Sequence, residues 1–353
     1  MSTSRRATIH DVARDAGVSS ATVSKILNGV KTVKKANVDR VQEAIRKLGY
    51  RADPVASELR QGQRRLIAVI VPELENSFFG ALVSGIEEAA EAAGYKVIFG
   101  TSRENENREI EVIQRMDDWR VAGAIVVPVR SELGRGATRL DELGLTSVLV
   151  DRVSANTRFD TVASDNYKAS SDVADHLVEQ GHTRFLLHCA TTTSQAIECR
   201  VEGFMARLAD IAGNAQIDTI LFGNSAEEHR YRLRNYLDGK SNDGRPLAIF
   251  SLSQHSTLVA LSELRRRKLV IPEQVALVGF DDADWMKTTW PSITSVSQPV
   301  NSIAKRAVAT LLSRLNQINE TFVVQHLERC ALQIRESTQT DDAKIVERHF
   351  VDQ

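Results

Sequence analysis

Aromatic residues make up only 5% of this 353-residue chain, and cysteine occurs three times. Cys189, Cys199 and Cys330 share no C-x-x-C spacing and are odd in number, which argues against a disulfide framework or a zinc knuckle. Cys189 sits in the apolar run from Phe185 to Ala190, where a small buried residue is the default. The eight histidines are scattered, so no metal cluster shows in the sequence and no metal or cofactor is expected; a site assembled only by the fold stays open. No run of about 18 apolar residues occurs, which excludes a membrane-spanning helix. The stretch from Met1 to Arg6 lacks the apolar segment of a secretory signal, and the expected location is the cytoplasm. Also missing are a G-x-S-x-G elbow, a Walker loop, a G-x-G-x-x-G turn after the first strand and any recognisable catalytic dyad.

What is present is an ordinary apolar share of 42% with 26% charged residues, the composition of a globular protein. At roughly 100–200 residues per domain, the length suggests two or three domains. The net charge of −1 hides an asymmetry: residues 1–65 carry 14 basic and 6 acidic side chains, a net +8, and the remainder carries −9. A small basic head on an acidic body suggests a polyanion partner for the head. A merely solvated charged surface would give the same count.

The head reads as three short helices. Thr8 and Asp11 fit a capping box, and Ile9, Val12, Ala13 and Ala16 form an apolar stripe that Gly17 stops. Ser19 caps a second helix with Val23, Ile26 and Leu27 inward, ended by Asn28-Gly29. The third carries Val38, Val41, Ala44, Ile45 and Leu48. Helix, Gly turn, helix is the helix-turn-helix arrangement, whose second helix enters the major groove of double-stranded DNA. Ser20, Ala21, Thr22 and Lys25 then face base edges, where small residues permit close approach and Lys25 can donate to guanine O6/N7. Thr8, Ser19, Ser24, Asn28, Lys34 and Lys35 are the candidate DNA backbone contacts. A three-helix bundle of other purpose, with Ser and Ala as plain helix surface, remains the alternative.

From Leu66 the texture becomes α/β. Apolar runs at Leu66–Val71, 94–99, 124–128, 147–151, 185–188, 219–222, 247–251 and Val275–Phe280 alternate with helical stretches, which predicts a doubly wound parallel sheet. Two such units in tandem fit two lobes with a cleft between them.

The run from Thr8 to Ser19, then Thr22-Val-Ser24, Leu27-Asn28 and Leu48-Gly-Tyr50, resembles the DNA-binding head of the LacI/GalR family of bacterial transcription regulators. Pro54 to Arg60 is similar to that family's hinge helix, and the resemblance gives Ala56 and Leu59 the minor-groove role, Leu59 as a wedge that unstacks a flexible step. A linker helix packing on the body is the other reading of Leu59. In the body, Asp165-Asn166, Gly181-His182, Arg200 to Phe204, Val275 to Asp282 and Pro291 to Pro299 resemble the periplasmic-sugar-binding-protein fold used by the same family. The implied architecture is an all-α helix-turn-helix head joined by a hinge helix to an α/β two-lobed, doubly wound parallel-sheet body of periplasmic binding protein-like type I. The expected boundaries are 1–50 for the head, 51–65 for the hinge and linker, 66–338 for the body and 339–353 for a polar tail. Within the body, 66–164 plus 299–327 form the N-lobe and 165–298 plus 328–338 the C-lobe. The tail lacks a leucine heptad, so a tetramerising coiled coil is not expected.

Ligands of open α/β sheets sit beyond the carboxyl ends of the strands. The resemblance gathers Asn76, Phe78, Phe79, Asp151, Arg152, Arg200, Ser253, Asp281 and Gln298 there as an effector site, with aromatics against a sugar's apolar faces and charged groups on its hydroxyls. Singly, each residue has a plainer reading: Phe78 or Phe79 as core, Arg200 in a structural ion pair, Asp281-Asp282 as a solvated loop or a lobe-closing salt bridge. Ser253-Gln254 stands where the family usually has Asn-Asp. The implied function is a homodimeric, sequence-specific regulator, a repressor of carbohydrate-metabolism genes that binds a pseudo-palindromic operator under control of a sugar-like effector. An enzyme acting on a sugar or nucleotide, and a ligandless architectural DNA binder, are the competing classes.

Overall fold

The computed structural model describes residues 7–27, 33–50, 65–154, 157–190, 194–221, 225–239, 245–316 and 322–339. The chain divides into two compact units, Met1–Arg65 and Leu66–Gln353. Among the described residues no helix is long and apolar enough to cross a membrane.

The first unit contains α1 (Ile9–Ala16), α2 (Ser20–Leu27) and α3 (Lys35–Leu48). Thr8 and Asp11 form the reciprocal capping box, with the Thr8 amide donating to Asp11 Oδ2 at 2.9 Å. Gly17 ends α1 at φ 63°, a left-handed position that costs glycine nothing. Val12, Ala13, Ala16, Val23, Val41 and Ala44 are buried, and Ile9, Val18, Ile26, Ile45, Leu48 and Tyr50 close over them. The last turns of α1 and α3 are also tied by charge, Lys47 Nζ reaching Asp15 at 2.7 Å.

The second unit holds two six-stranded sheets. The first is built from β1 (Leu66–Val71), β2 (Lys96–Thr101), β3 (Gly123–Val126), β4 (Ser147–Val150), β5 (Asp160–Ser164) and β11 (Gln325–Glu328), in the order β11-β5-β4-β3-β1-β2. The second uses β6 (Arg184–Cys189), β7 (Gln216–Leu221), β8 (Leu247–Ser251), β9 (Val275–Phe280), β10 (Thr294–Ser297) and β12 (Ala331–Gln333), in the order β12-β10-β9-β8-β6-β7. The two orders correspond strand for strand. Pairing is parallel throughout except for β12 against β10. Strands β5, β10, β11 and β12 lie outside the runs read as strands, because they are short and rich in Ser, Thr, Gln and Glu.

Helices cover both faces of each sheet. In the first lobe these are α4 (Ser77–Ala92), α5 (Glu106–Asp118), α6 (Arg135–Glu142) and α12 (Val300–Leu315). In the second they are α7 (Asn166–Glu179), α8 (Gln195–Ile211), α9 (Ala226–Gly239), α10 (Gln254–Arg266) and the short α11 (Asp284–Thr288). Alternation along the strands explains the layering: Ile67, Val69 and Val71 pack with α4 and α12, whereas Ala68 and Ile70 pack with α5 and α6. In the second lobe Phe185, Phe204, Phe250 and Phe280 form a fully buried aromatic chain with ring centroids 5.3–6.4 Å apart. The chain passes between the sheets three times, after β5, β10 and β11, so both lobes contain distant segments.

Buried histidines make the second lobe acid-sensitive. His188 meets His229 Nε2 at 2.7 Å and Ser251 at 3.3 Å, and burial, with His229 and His255 adding, pushes its pKa down to about 3. His176 accepts or donates to Thr338 at 2.8 Å and is pushed down to about 4, by burial first and then by His182. Both are neutral in the fold, so their stability is whole above the ordinary histidine value of 6.5 and drains away as pH falls toward 4. Between pH 7 and pH 4.5 His176→Gln should therefore gain about 2 kcal/mol relative to wild type in urea unfolding. Parallel pH curves for the two proteins would contradict this.

Candidate DNA-binding surface and interlobe cleft

In the head, Ser19 Oγ accepts from the Thr22 amide at 3.2 Å and thereby caps α2. The buried position Val23 turns one face of α2 inward, leaving Ala21 and Lys25 exposed and Ser20, Thr22 and Ser24 half-buried. Lys34 precedes α3 without capping it by its side chain, and both Lys34 and Lys35 are exposed. Thr8 spends its hydroxyl on Asp11 Oδ2 at 2.7 Å. A residue that sequence reasoning passed over, His10, places Nδ1 3.1 Å from Ser20 Oγ and so joins α1 to the outer face of α2. The outer face of this helix thus carries small hydroxyls and a lysine, groups able to donate to bases and phosphates. Asn28, Ala56 and Leu59 lie outside the described residues.

Four buried charged side chains, Asp151, Arg152, Arg200 and Asp281, gather at the cleft between the lobes. Asp151 follows β4 at φ 69° and Asp281 follows β9 at φ 67°, equivalent places in the two sheets. Each backbone turns sharply at the strand end, which delivers a carboxylate into the cleft. Asp151 is 6% exposed and its Oδ1 has no hydrogen-bond partner. Burial pushes its pKa up, Arg200 and Arg152 pull it down, and Asp281 pushes it up again. These four side chains therefore feel one another across the cleft.

Arg200, on α8, is held on three sides. Its Nε donates to Asn166 Oδ1 at 2.8 Å, its Nη1 donates to the Leu252 carbonyl at 2.7 Å, and its guanidinium carbon lies 3.5 Å from the centre of the Phe280 ring. Such a clamp fixes the group's direction, because a planar guanidinium cannot rotate without losing both bonds. Arg152 is engaged differently from the open ligand group expected of it. Both its terminal nitrogens reach Glu104 at 2.7 Å, and one also reaches the Val129 carbonyl at 3.1 Å. Its charge is neutralised inside the first lobe, 5.7 Å above the Phe79 ring. Phe79 and Phe78 both belong to the first-lobe core, yet Phe78 also lines a cavity of about 250 Å³ with Asp281 and Gln298.

Among the described residues, hydrogen bonds at two places span the cleft. Ser164, at the end of β5, donates to Gln298 Oε1 at 2.6 Å, and the Gln298 amide donates to Asp281 Oδ1. Ser77, the first residue of α4, donates to Gln254 Oε1, at the start of α10, at 2.9 Å. Gln254 therefore makes a closure contact of its own. Its neighbour Ser253 is 6% exposed and caps α10, accepting from the Ser256 amide at 3.2 Å, as Asn76 caps α4 by accepting from Phe78 at 3.0 Å. Asp282 is bonded to Arg335 at 2.7 Å, where bonds from Arg335 and Ser295 outweigh burial and hold its pKa low. Sequence reasoning brought Asp151, Arg152, Arg200, Asp281 and Gln298 together, and the structure does too. It missed Glu104, Ser77 and Ser164, which have no local signature.

The head plus a two-lobed body define a DNA-binding regulator with a ligand-sized interlobe cleft. Residues 8–53 match the family described as bacterial regulatory proteins, lacI family, and residues 174–338 match a periplasmic binding protein-like domain. The chain is 31% identical over 316 residues to the HTH-type transcriptional regulator PtxS of Pseudomonas plecoglossicida, covering 88% of this chain and 89% of that protein. It is 30% identical over 336 residues to the HTH-type transcriptional repressor CytR of Escherichia coli (strain K12), covering 94% and 96%. Among solved structures it is similar to the lac repressor dimer bound to operator and the anti-inducer ONPF, with a TM-score of 0.82, 22% identity and coverage of 95% and 100%. The transcriptional regulator CelR–cellobiose complex matches with a TM-score of 0.66, 26% identity and coverage of 94% and 100%. The chain belongs to the LacI family of bacterial transcription regulators.

One buried carboxylate of the first lobe is raised toward neutrality. Glu109, 1% exposed on α5, accepts from the Val129 amide at 2.9 Å and lies so close to Gly136 that a Cβ there would meet its Oε2 at 2.1 Å. Burial raises its pKa to about 7, against the opposing hydrogen bond from Val129. Since the folded value exceeds the ordinary 4.5, the stability it permits is whole below pH 4.5 and is lost as pH rises through about 7. Glu109→Gln keeps the acceptor and removes the titration, so it should exceed wild type by about 2–3 kcal/mol more at pH 8 than at pH 4.5. Urea unfolding at the two pH values checks this; an unchanged difference contradicts it.

Proposed function

We propose that the protein is a repressor of carbohydrate-metabolism genes, binding a pseudo-palindromic operator as a homodimer and releasing or gripping it according to a sugar-like effector in the cleft. The observation that carries this reading is the anchored Arg200 beside the strand-end carboxylates Asp151 and Asp281, joined to a head with an outward hydroxyl-and-lysine helix face. Relatives support it: the lac repressor structure is a dimer on operator, and CelR holds cellobiose. In this reading Ser20, Ala21, Thr22 and Lys25 touch bases, while Thr8, Ser19, Ser24, Asn28, Lys34 and Lys35 touch the backbone. Ala56 and Leu59 enter the minor groove. Asn76, Phe78, Phe79, Asp151, Arg152, Arg200, Ser253, Asp281 and Gln298 form the effector site, with Arg152 acting through Glu104. The boundaries given by sequence, 1–50, 51–65, 66–338 and 339–353, divide the chain into head, hinge, body and tail.

Mechanistically, a ligand bonded to both lobes favours the closed cleft by its differential affinity for the two states. Closure moves one lobe against the other at the crossings after β5 and β10, where Ser164 and Gln298 already bond. The cleft groups hold and orient; the protein binds its effector without turnover and acts in the cytoplasm.

Selection of duplexes from a random pool by the full-length protein tests the reading. At ~150 mM salt, where phosphate-only binding is weakened, a palindrome with a flexible central step should be enriched. Absence of enrichment with and without a sugar panel would sink it. On the selected duplex, Lys34→Ala should weaken binding evenly across sequences and reduce the salt slope by about 1, whereas Lys25→Ala should cost about 1–3 kcal/mol and relax specificity at a single position. Equal loss on all duplexes for Lys25→Ala would remove its base-reading role.

A further inference from the structure

The outer face of α2 carries a hydroxyl whose polarity is set from another helix. Ser20, the first residue of α2, is half-buried, and its Oγ lies 3.1 Å from Nδ1 of His10 on α1. A serine hydroxyl has one hydrogen to give and two lone pairs with which to receive. The direction of the bond to His10 therefore decides what Ser20 offers to a base. With Nδ1 as acceptor, the hydroxyl hydrogen is spent and the oxygen faces outward as an acceptor only. With the proton on Nδ1, the hydroxyl hydrogen is released outward. The two states read opposite halves of the major-groove code: an acceptor meets adenine N6 or cytosine N4, and a donor meets guanine O6 and N7 or thymine O4.

The start of α1 favours the first state. A neutral imidazole donates at one nitrogen and accepts at the other. His10 is exposed, and among the described residues its Nε2 has no partner. Thr8, two residues earlier, is placed at the DNA backbone in the reading above, and phosphate oxygens there accept hydrogen bonds without giving them. An Nε2–H is attracted to such oxygens, whereas an Nε2 lone pair is repelled. Keeping the ring proton on Nε2 leaves Nδ1 to receive from Ser20.

We propose that His10 is a positioning residue for base recognition: its Nδ1 takes the Ser20 hydrogen and makes Ser20 a reader of adenine or cytosine at one position of each half-site. The inference rests on the reading of Ser20 as a base contact. An exposed side chain of the first helix thereby selects a base that it does not itself touch.

Selection from a random duplex pool by the full-length protein, at pH ~8 where an ordinary imidazole is neutral and ~150 mM salt, reads the base ratio at every position. Ser20→Ala locates the relevant position as the one whose preference it removes. There the wild type should favour adenine or cytosine over guanine and thymine by about three- to tenfold, the worth of one hydrogen bond. His10→Ala should level that ratio to within about twofold. His10→Asp, whose carboxylate only accepts, should keep the ratio while weakening binding to every duplex. Each ratio is taken within one protein, so a change in folded fraction cancels. A wild-type preference for guanine or thymine at that position overturns the proposal. So does a ratio unmoved by His10→Ala, the result of a histidine that only props α1 against α2. If Ser20→Ala alters no position, the base-reading role of Ser20 falls, and that of His10 falls with it.

Discussion

Arg200 is the constraint on which the cleft depends. The residue is 4% exposed, so its charge must be met inside the protein, and the structure meets it partly with dipoles and partly with the carboxylates opposite. Asn166 and the Leu252 carbonyl set its direction, and Phe280 supplies a face on which the planar group lies. Asn166 begins α7 directly after the first crossing, and its amide nitrogen donates to the Ser164 carbonyl at 3.1 Å. One arginine thus ties the second-lobe core, the crossing and the cleft wall together. Loss of its orientation would disturb all three.

The corresponding strand orders of the sheets explain why the carboxylates face each other. β4 and β9 occupy the same position in their sheets, and each ends in an aspartate with positive φ. Non-glycine residues avoid that region unless surrounding structure holds them there, so two equivalent occurrences at a cleft point to a positional requirement. The crossings interleave the lobes: β11 and β12 are neighbours in sequence but edge different sheets, and α12 leaves the second lobe to pack in the first. The Ser164–Gln298–Asp281 chain lies at this junction, and Ser77, which bonds Gln254, lines the same cavity as Asp281 and Gln298.

Much of this was legible in the sequence, for physical reasons that also mark where legibility ends. Apolar runs such as Leu66–Val71 and Val275–Phe280 announce strands covered on both faces, and the Thr8–Asp11 pair announces a helix start. The crossing strands carry no such pattern: β10 is Thr-Ser-Val-Ser and β11 Gln-His-Leu-Glu, held by pairing with neighbours far along the chain. Among the cleft residues, Asp151, Arg200 and Asp281 came from motif resemblance. Glu104 could not, because it reaches Arg152 across 48 positions, and Ser77 reaches Gln254 across 177. Arg152 as a free ligand group was the natural reading of Asp151-Arg152 at a strand end. Only the fold brings Glu104 beside it and changes the charge of the site.

We propose that Arg200 holds the ligand through which the cleft alters operator binding. Operator affinity, measured at fixed salt by fluorescence anisotropy with and without a cleft-binding sugar, tests it most directly when wild type is compared with Arg200→Ala. The sugar should shift wild-type affinity by about 5- to 150-fold, the usual range of allosteric coupling. The variant should bind operator without responding to the sugar. An Arg200→Ala protein that responds as wild type does would contradict the account.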